Sequence, residues 1–263
     1  MKKNQLVICD YPDMNADILF IVGPTCTRKS YIAETLDCNK VIINCDSQQV
    51  YKTLSQLRAT PTNLTADHRL YSYIEDSEFY SVGIWLEHAV KEIHAAWAKK
   101  KLPIIVGGTA FYIYMLLAGP PNAPIIKIDL TKYTNIELQQ IAGNKFVDRY
   151  RLERAAGVLL STGKTIEEWN TQSYAPNLGK CKIYCTQKPN LEDLYYRTNL
   201  ILKASIYEEL PMCKNKPIGF DEIQLIQKGL ISYNEALEKM VIRTRQYAKR
   251  QHTFFKKILR DFA

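Results

Sequence analysis

Residues 23–30 read Gly-Pro-Thr-Cys-Thr-Arg-Lys-Ser, directly after the β-branched run Ile18 to Val22 and at the start of a helical stretch, Lys29 to Leu36. A short buried strand, a glycine-led loop and a helix in direct succession match the phosphate-loop pattern G-x-x-x-x-G-K-[ST] in every fixed position but one. In such a loop, successive backbone N–H groups and the N-terminus of the following helix cradle phosphate oxygens. Gly23, Pro24, Thr25, Cys26, Thr27, Arg28, Lys29 and Ser30 are therefore the candidate diphosphate- or nucleotide-binding residues. Lys29 is placed to neutralise charge, and the Ser30 hydroxyl is the candidate metal ligand, for Mg²⁺. Arg28 stands where the pattern has its second glycine. A Cβ and a long cation at that bend imply either backbone strain or an added phosphate contact.

The rest of the first half repeats the alternation. Val41-Ile42-Ile43 reads as a second buried strand, closed by Asn44-Cys45-Asp46-Ser47, and Leu102 to Val106 as a third, closed by Gly107-Gly108-Thr109. Between them, Ser81 to Lys100 carries Val82, Trp85, Leu86, Ala89, Val90, Ile93 and Trp97 at helical spacing. Strands alternating with helices predict an α/β fold, a parallel sheet of the P-loop NTPase type flanked by helices, with ligand loops at the strand C-termini. The run Gly119-Pro120-Pro121-Asn122-Ala123-Pro124 predicts a linker out of this core. The expected organisation is a core of residues 1–119 and 148–263, with C-terminal helices, and a small, reduced helical insert over 120–147. Further helices are expected over Asp148 to Leu160, Leu191 to Leu210 and Tyr233 to Leu259, the last strongly basic.

Bulk properties narrow the setting. The 263 residues carry 35 Lys+Arg against 27 Asp+Glu, a formal net charge of +8, which suits a polyanionic partner but is shared by many enzymes that bind no nucleic acid. The seven cysteines form no C-x-x-C pair and no zinc-spaced cluster with histidine, which fits a reduced cytosol. The N-terminal stretch is interrupted by Asp10, Asp13 and Asp17, unlike a signal peptide, and no run approaches the length of a membrane span.

Further blocks appear in order along the chain: Asn44 to Tyr51, His68-Arg69-Leu70, Tyr80-Ser81-Val82 and Leu102 to Tyr112 with its Val-Gly-Gly-Thr-x-x-Tyr core. They continue with Asp148 to Ala155, Thr162-Gly163-Lys164, Ile218 to Glu222 and Thr244 to Gln251. Together with the phosphate loop, this series resembles the tRNA dimethylallyltransferase family over about residues 18–255. The resemblance implies that the loop holds dimethylallyl diphosphate with Mg²⁺, and that the exocyclic amine of the adenosine 3′ of the anticodon attacks the allylic carbon. Asp46 matches the family's general base and Thr109 the threonine that contacts the bridging oxygen of the leaving group. Asp46, Ser47, Gln48 and Gln49, with Tyr150, Arg151, Arg154, Arg245, Lys249 and Arg250, match positions that touch the tRNA anticodon stem-loop. A cytoplasmic monomer without membrane attachment is expected. Taken singly, Asp46 also reads as a loop cap, Thr109 as a turn residue, and the basic residues as solvated helix faces.

Four features depart from the family pattern. Arg28 replaces a glycine, and Ile201 stands where the second of two arginines is expected, Arg197 fitting the first. Leu57-Arg58-Ala59-Thr60-Pro61 replaces Gly-Thr-Ala-Lys-Pro, leaving a basic residue shifted, and both the insert after Gly119 and the segment from Ser205 to Pro217 are contracted. Two other readings stay open: a catalytically impaired RNA-binding homologue, and a small-molecule P-loop kinase.

Overall fold

The computed structural model describes residues 4–62, 65–78, 80–120, 122–124, 126, 128–143, 146, 148–170 and 175–263. Among these, six strands form one sheet: β1 (Leu6–Ile8), β2 (Ile18–Val22), β3 (Lys40–Asn44), β4 (Asp67–Arg69), β5 (Leu102–Gly107) and β6 (Cys181–Cys185). Their order is β1-β6-β2-β5-β3-β4, and every pairing is parallel. The α/β expectation therefore holds. β2 runs through the middle of the sheet and all five of its residues are buried, as expected of a strand covered on both faces.

α1 (Lys29–Thr35) packs on β2 and β5, where its Ala33 joins Leu19, Ile21, Ile42, Ile104 and Val106 in one buried cluster. α2 (Val82–Ala98) packs on β3 and β5 and buries Trp85, Leu86, Ala89, Ile93 and Ala96, the spacing of one helix face. It begins at Ser81, whose hydroxyl accepts the Ile84 N–H at 3.4 Å. The Trp85 indole donates to the Asn44 carbonyl at 2.8 Å and so pins the end of β3. α3 (Ala110–Ala118) follows β5. β6 escapes a reading by hydrophobicity because Lys182 is its second residue; that lysine is buried and paired with Asp13.

The C-terminal helices are α7 (Leu191–Ser205), α8 (Phe220–Gln227) and α9 (Tyr233–Phe262). Leu54, Leu57, Leu202, Phe220, Ile223, Ala236, Leu237 and Met240 form a shared apolar cluster between them and the chain after β3. α7 ends five residues before the expected Leu210, which precedes Pro211 and is biased away from helix. α9 starts in a capping box between Ser232 and Glu235. No described helix is long and apolar enough to cross a membrane.

Residues 118–175 make a second compact unit, longer than the expected insert of 120–147. The physical reason is a core of its own. α4 (Asn135–Ala142) and α5 (Arg149–Thr162) bury Leu130, Leu138, Leu152 and Ala156 against each other, so α5 belongs to this unit; α6 (Ile166–Asn170) follows it. Arg149 reinforces it by donating to the Tyr133 carbonyl at 2.6 Å and the Leu130 carbonyl at 2.8 Å. We expect Leu152→Ala to cost this unit about 2–5 kcal/mol. Hydrogen exchange should then show lost protection over α4 and α5 while β2 and β5 keep theirs.

Candidate active site

The phosphate loop leaves β2 through Gly23, whose φ of 137° suits a residue without a side chain. A Cβ there would stand 2.2 Å from Thr186 Oγ1. Thr186, just past β6, donates its N–H to the Val22 carbonyl at 2.8 Å, and its hydroxyl meets that of Thr27 at 2.6 Å. Thr27 in turn donates to the Pro24 carbonyl at 2.8 Å. Cys26 (φ 64°) and Arg28 (φ 56°, ψ 26°) are both left-handed, so the strain expected at Arg28 is present. Its side chain is exposed to solvent. Lys29 Nζ donates to the Pro24 carbonyl at 2.5 Å. Burial pulls the Lys29 pKa down to about 8, against the opposing pull of the Asp46 carboxylate.

Two loops at the ends of neighbouring strands face this one. After β3, Asp46 takes its backbone N–H to Asn44 Oδ1 at 2.8 Å and accepts the Gln48 N–H on Oδ1 at 2.9 Å. Its carboxyl pKa is raised by burial, with the Gln48 N–H and the Lys29 ammonium pulling the other way. At the end of β5, Gly107 comes so close to the chain leaving β3 that a Cβ would lie 2.1 Å from the Cys45 carbonyl oxygen. That approach lets the Thr109 hydroxyl accept the Ser47 N–H at 2.9 Å and donate to Ser47 Oγ at 3.3 Å. Thr109 also bonds the Tyr247 hydroxyl, whose pKa burial raises.

Two adjoining cavities lie beside these loops, lined also by residues of α7 and α9. One, of about 270 Å³, is lined by Arg28, Lys29, Ser30 and Tyr31. The other, of about 290 Å³, is lined by Ser47, Gln48, Ile201, Tyr247 and Arg250. Thr25, Cys26, Asp46, Gln49 and Arg197 line both. The arrangement is thus a cationic chamber beside a mixed one, with a carboxylate on the shared wall. Anions suit the first; the second offers aromatic and amide groups.

The structure brings together the phosphate loop, Asp46, Ser47, Gln48, Gln49 and Arg250 in this way. Thr109 is not among the lining residues of either cavity and is hydrogen-bonded to Ser47 and Tyr247. Arg245 and Lys249 are exposed on α9. Tyr150, Arg151 and Arg154 belong to the 118–175 unit: Tyr150 is exposed, Arg151 pairs with Asp148 at 3.1 Å, and Arg154 donates to the Ala123 carbonyl at 2.9 Å and to that of Pro124. Arg58, the basic residue left shifted in the Leu57 to Pro61 stretch, has its buried guanidinium bound to Asp76 at 2.5 Å and lying over the Tyr51 ring. Ile201 packs on the apolar cluster of Leu57, Leu202 and Met240. Thr186 lies outside the sequence motifs, and Gln251, the last residue of the Thr244 to Gln251 block, has no role assigned to it by the motif. Gln251 is nevertheless signalled as the polar member of the buried stripe on α9, and Thr186 has no comparable signal.

Arg28→Gly should relieve the left-handed strain and raise stability by about 1 kcal/mol, after the entropy glycine adds to the unfolded chain. Urea denaturation checks it. Binding of inorganic pyrophosphate should weaken as pH rises through about 8, where Lys29 loses its proton. Lys29→Arg, charged throughout, should lack that fall when titrated calorimetrically.

The chain matches the family model described as IPP transferase over residues 49–258. It is 34% identical to a protein named tRNA dimethylallyltransferase from Wolbachia pipientis subsp. Culex pipiens (strain wPip), with 92% of this chain and 93% of the relative covered. It is also 34% identical to a protein of that name from Ehrlichia canis (strain Jake), with 91% of each covered. Among solved structures, a eukaryotic dimethylallyltransferase acting on tRNA shares its fold at a TM-score of 0.74 and 22% identity, over 89% of this chain and 68% of that one. With the model spanning most of the sequence and the relatives matched over almost all of their length, this chain belongs to the IPP transferase family.

Proposed function

We propose that this protein transfers a dimethylallyl group from dimethylallyl diphosphate to the exocyclic amine of the adenosine 3′ of the anticodon in tRNA. The observation that carries this reading is the position of Asp46 on the wall between a cationic chamber and a chamber lined by Gln48, Tyr247 and Arg250. The diphosphate occupies the first, against Lys29, Arg197 and the N–H groups of the phosphate loop. The adenine enters the second, flipped from its stack. The amine nitrogen bonds to the allylic carbon as the carbon–oxygen bond to diphosphate breaks. The diphosphate leaves with the bonding electrons, and the amine proton passes to the Asp46 carboxylate. Lys29 and Arg197 oppose the charge that develops on the leaving group.

Ser30 supports a role for Mg²⁺. No cluster of three metal-ligating side chains exists among the described residues, so an ion here would be held by the Ser30 hydroxyl, water and the substrate's own phosphate oxygens, a donor set that suits Mg²⁺. The ion, when bound, supplies charge neutralisation on the diphosphate. The exposed Arg245 and Lys249 on α9, with Tyr150 and Arg151 on α5, supply further contacts to RNA.

Incubating the protein with labelled dimethylallyl diphosphate, Mg²⁺ and unmodified tRNA should label the tRNA and release pyrophosphate in equal amounts. Absence of label with RNA binding intact would favour the impaired homologue. Asp46→Asn should lower kcat by about 10²- to 10⁴-fold. Because the Asp46 pKa is raised, kcat/KM should fall with acid above the ordinary carboxylate range; because the Lys29 pKa is lowered, it should fall again as pH rises through about 8.

A further inference from the structure

Gln251 is 5% exposed and sits in the stripe of α9 otherwise formed by Ala248, Phe255, Ile258 and Phe262. Burying an amide among apolar groups is costly unless both ends are bonded. Here they are. Its Oε1 accepts the Thr25 N–H at 2.8 Å, and its Nε2 donates to the Gly108 carbonyl at 2.8 Å. The partners fix the orientation of the amide, because Thr25 offers a donor and Gly108 an acceptor. Gly108 is also where a Cβ would strike this same Nε2 at 2.2 Å, so the loop after β5 is shaped around the glutamine.

These two bonds join the two halves of the site. Thr25 lies in the phosphate loop and lines both cavities. Gly108 immediately precedes Thr109, whose hydroxyl holds Ser47 next to Asp46. Among the described residues, no other side chain is shown hydrogen-bonded to the phosphate loop and to the Gly107-Gly108-Thr109 loop together. On the same helix, Tyr247 and Arg250 line the second cavity, one turn and one residue before Gln251.

We propose that Gln251 is a positioning residue for prenyl transfer: it sets the spacing between the phosphate loop and the loop that orients Asp46, so that diphosphate and acceptor amine meet in line. The inference rests on the proposed diphosphate site. Its action is through Thr25 and Gly108, and it touches no reacting atom. A site displaced by about 1 Å can lose on the order of 10²-fold in rate without losing its ligands.

The test uses the full chain with two variants, Gln251→Met and Gln251→Glu. Methionine keeps the shape and removes both bonds; kcat should fall about 10- to 100-fold and pyrophosphate affinity several-fold, while affinity for tRNA stays at the wild-type value. Glutamate keeps an acceptor for Thr25 but, when ionised, offers nothing to the Gly108 carbonyl. Protonation restores that donor, so the ratio of Gln251→Glu to wild-type kcat should rise as pH falls. Wild-type kcat and pyrophosphate affinity in folded Gln251→Met would overturn the proposal. Should that variant fail to fold, a pH-independent ratio for Gln251→Glu overturns it equally. Failure of the wild type itself to bind pyrophosphate would instead count against the diphosphate site.

Discussion

The site depends on how closely the chain leaving β5 approaches the chain leaving β3. At Gly107 any side chain would collide with the Cys45 backbone, and the space thereby saved is used for hydrogen bonds. Cys45 N–H reaches the Val106 carbonyl at 2.7 Å, Thr109 N–H reaches the Cys45 carbonyl at 3.1 Å, and the Ser47 N–H reaches the Thr109 hydroxyl. Asp46 lies between two residues held in this way. Its carboxylate is therefore aimed by the sheet itself, as expected for ligand loops at strand C-termini in parallel α/β folds.

The electrostatics follow from the same crowding. Lys29 and Asp46 are drawn out of water together, which lowers one pKa and raises the other, while each partly offsets the cost for its neighbour. Arg197 reaches the same space from α7 and lines both chambers. The left-handed Arg28 sits at the rim, with its backbone strained and its cation in solvent. Strain of this kind persists only where the surroundings over-determine the backbone. The Thr186–Thr27–Pro24 bonds and the Gln251–Thr25 bond provide that restraint.

Local features were legible where one residue type has one mechanical use. The pairing of Gly23 with Lys29 and Ser30, the buried runs of β2, β3 and β5, and the face of α2 all follow from periodicity and turn chemistry. The capping box Thr134-x-x-Glu137 was equally readable and marks α4, in a stretch whose hydrophobic pattern is ambiguous. Arg58 shows the opposite case. It is the basic residue left shifted in the Leu57 to Pro61 stretch, and Asp76, 18 residues on, neutralises it. Nothing local to Arg58 announces that partner.

Sequence alone determined the phosphate loop, the parallel α/β class and the carboxylate at a strand end, because each is a contest between backbone geometry and side-chain size within a few residues. Only the tertiary structure decided which polar groups share one desolvated space. Gln251 joins Thr25 to Gly108 across 226 and 143 residues, and Thr186 meets Thr27 across 159. Such bonds form because a buried amide or hydroxyl must find a partner wherever the fold brings one within reach, and that reach is a property of the packed sheet and helices.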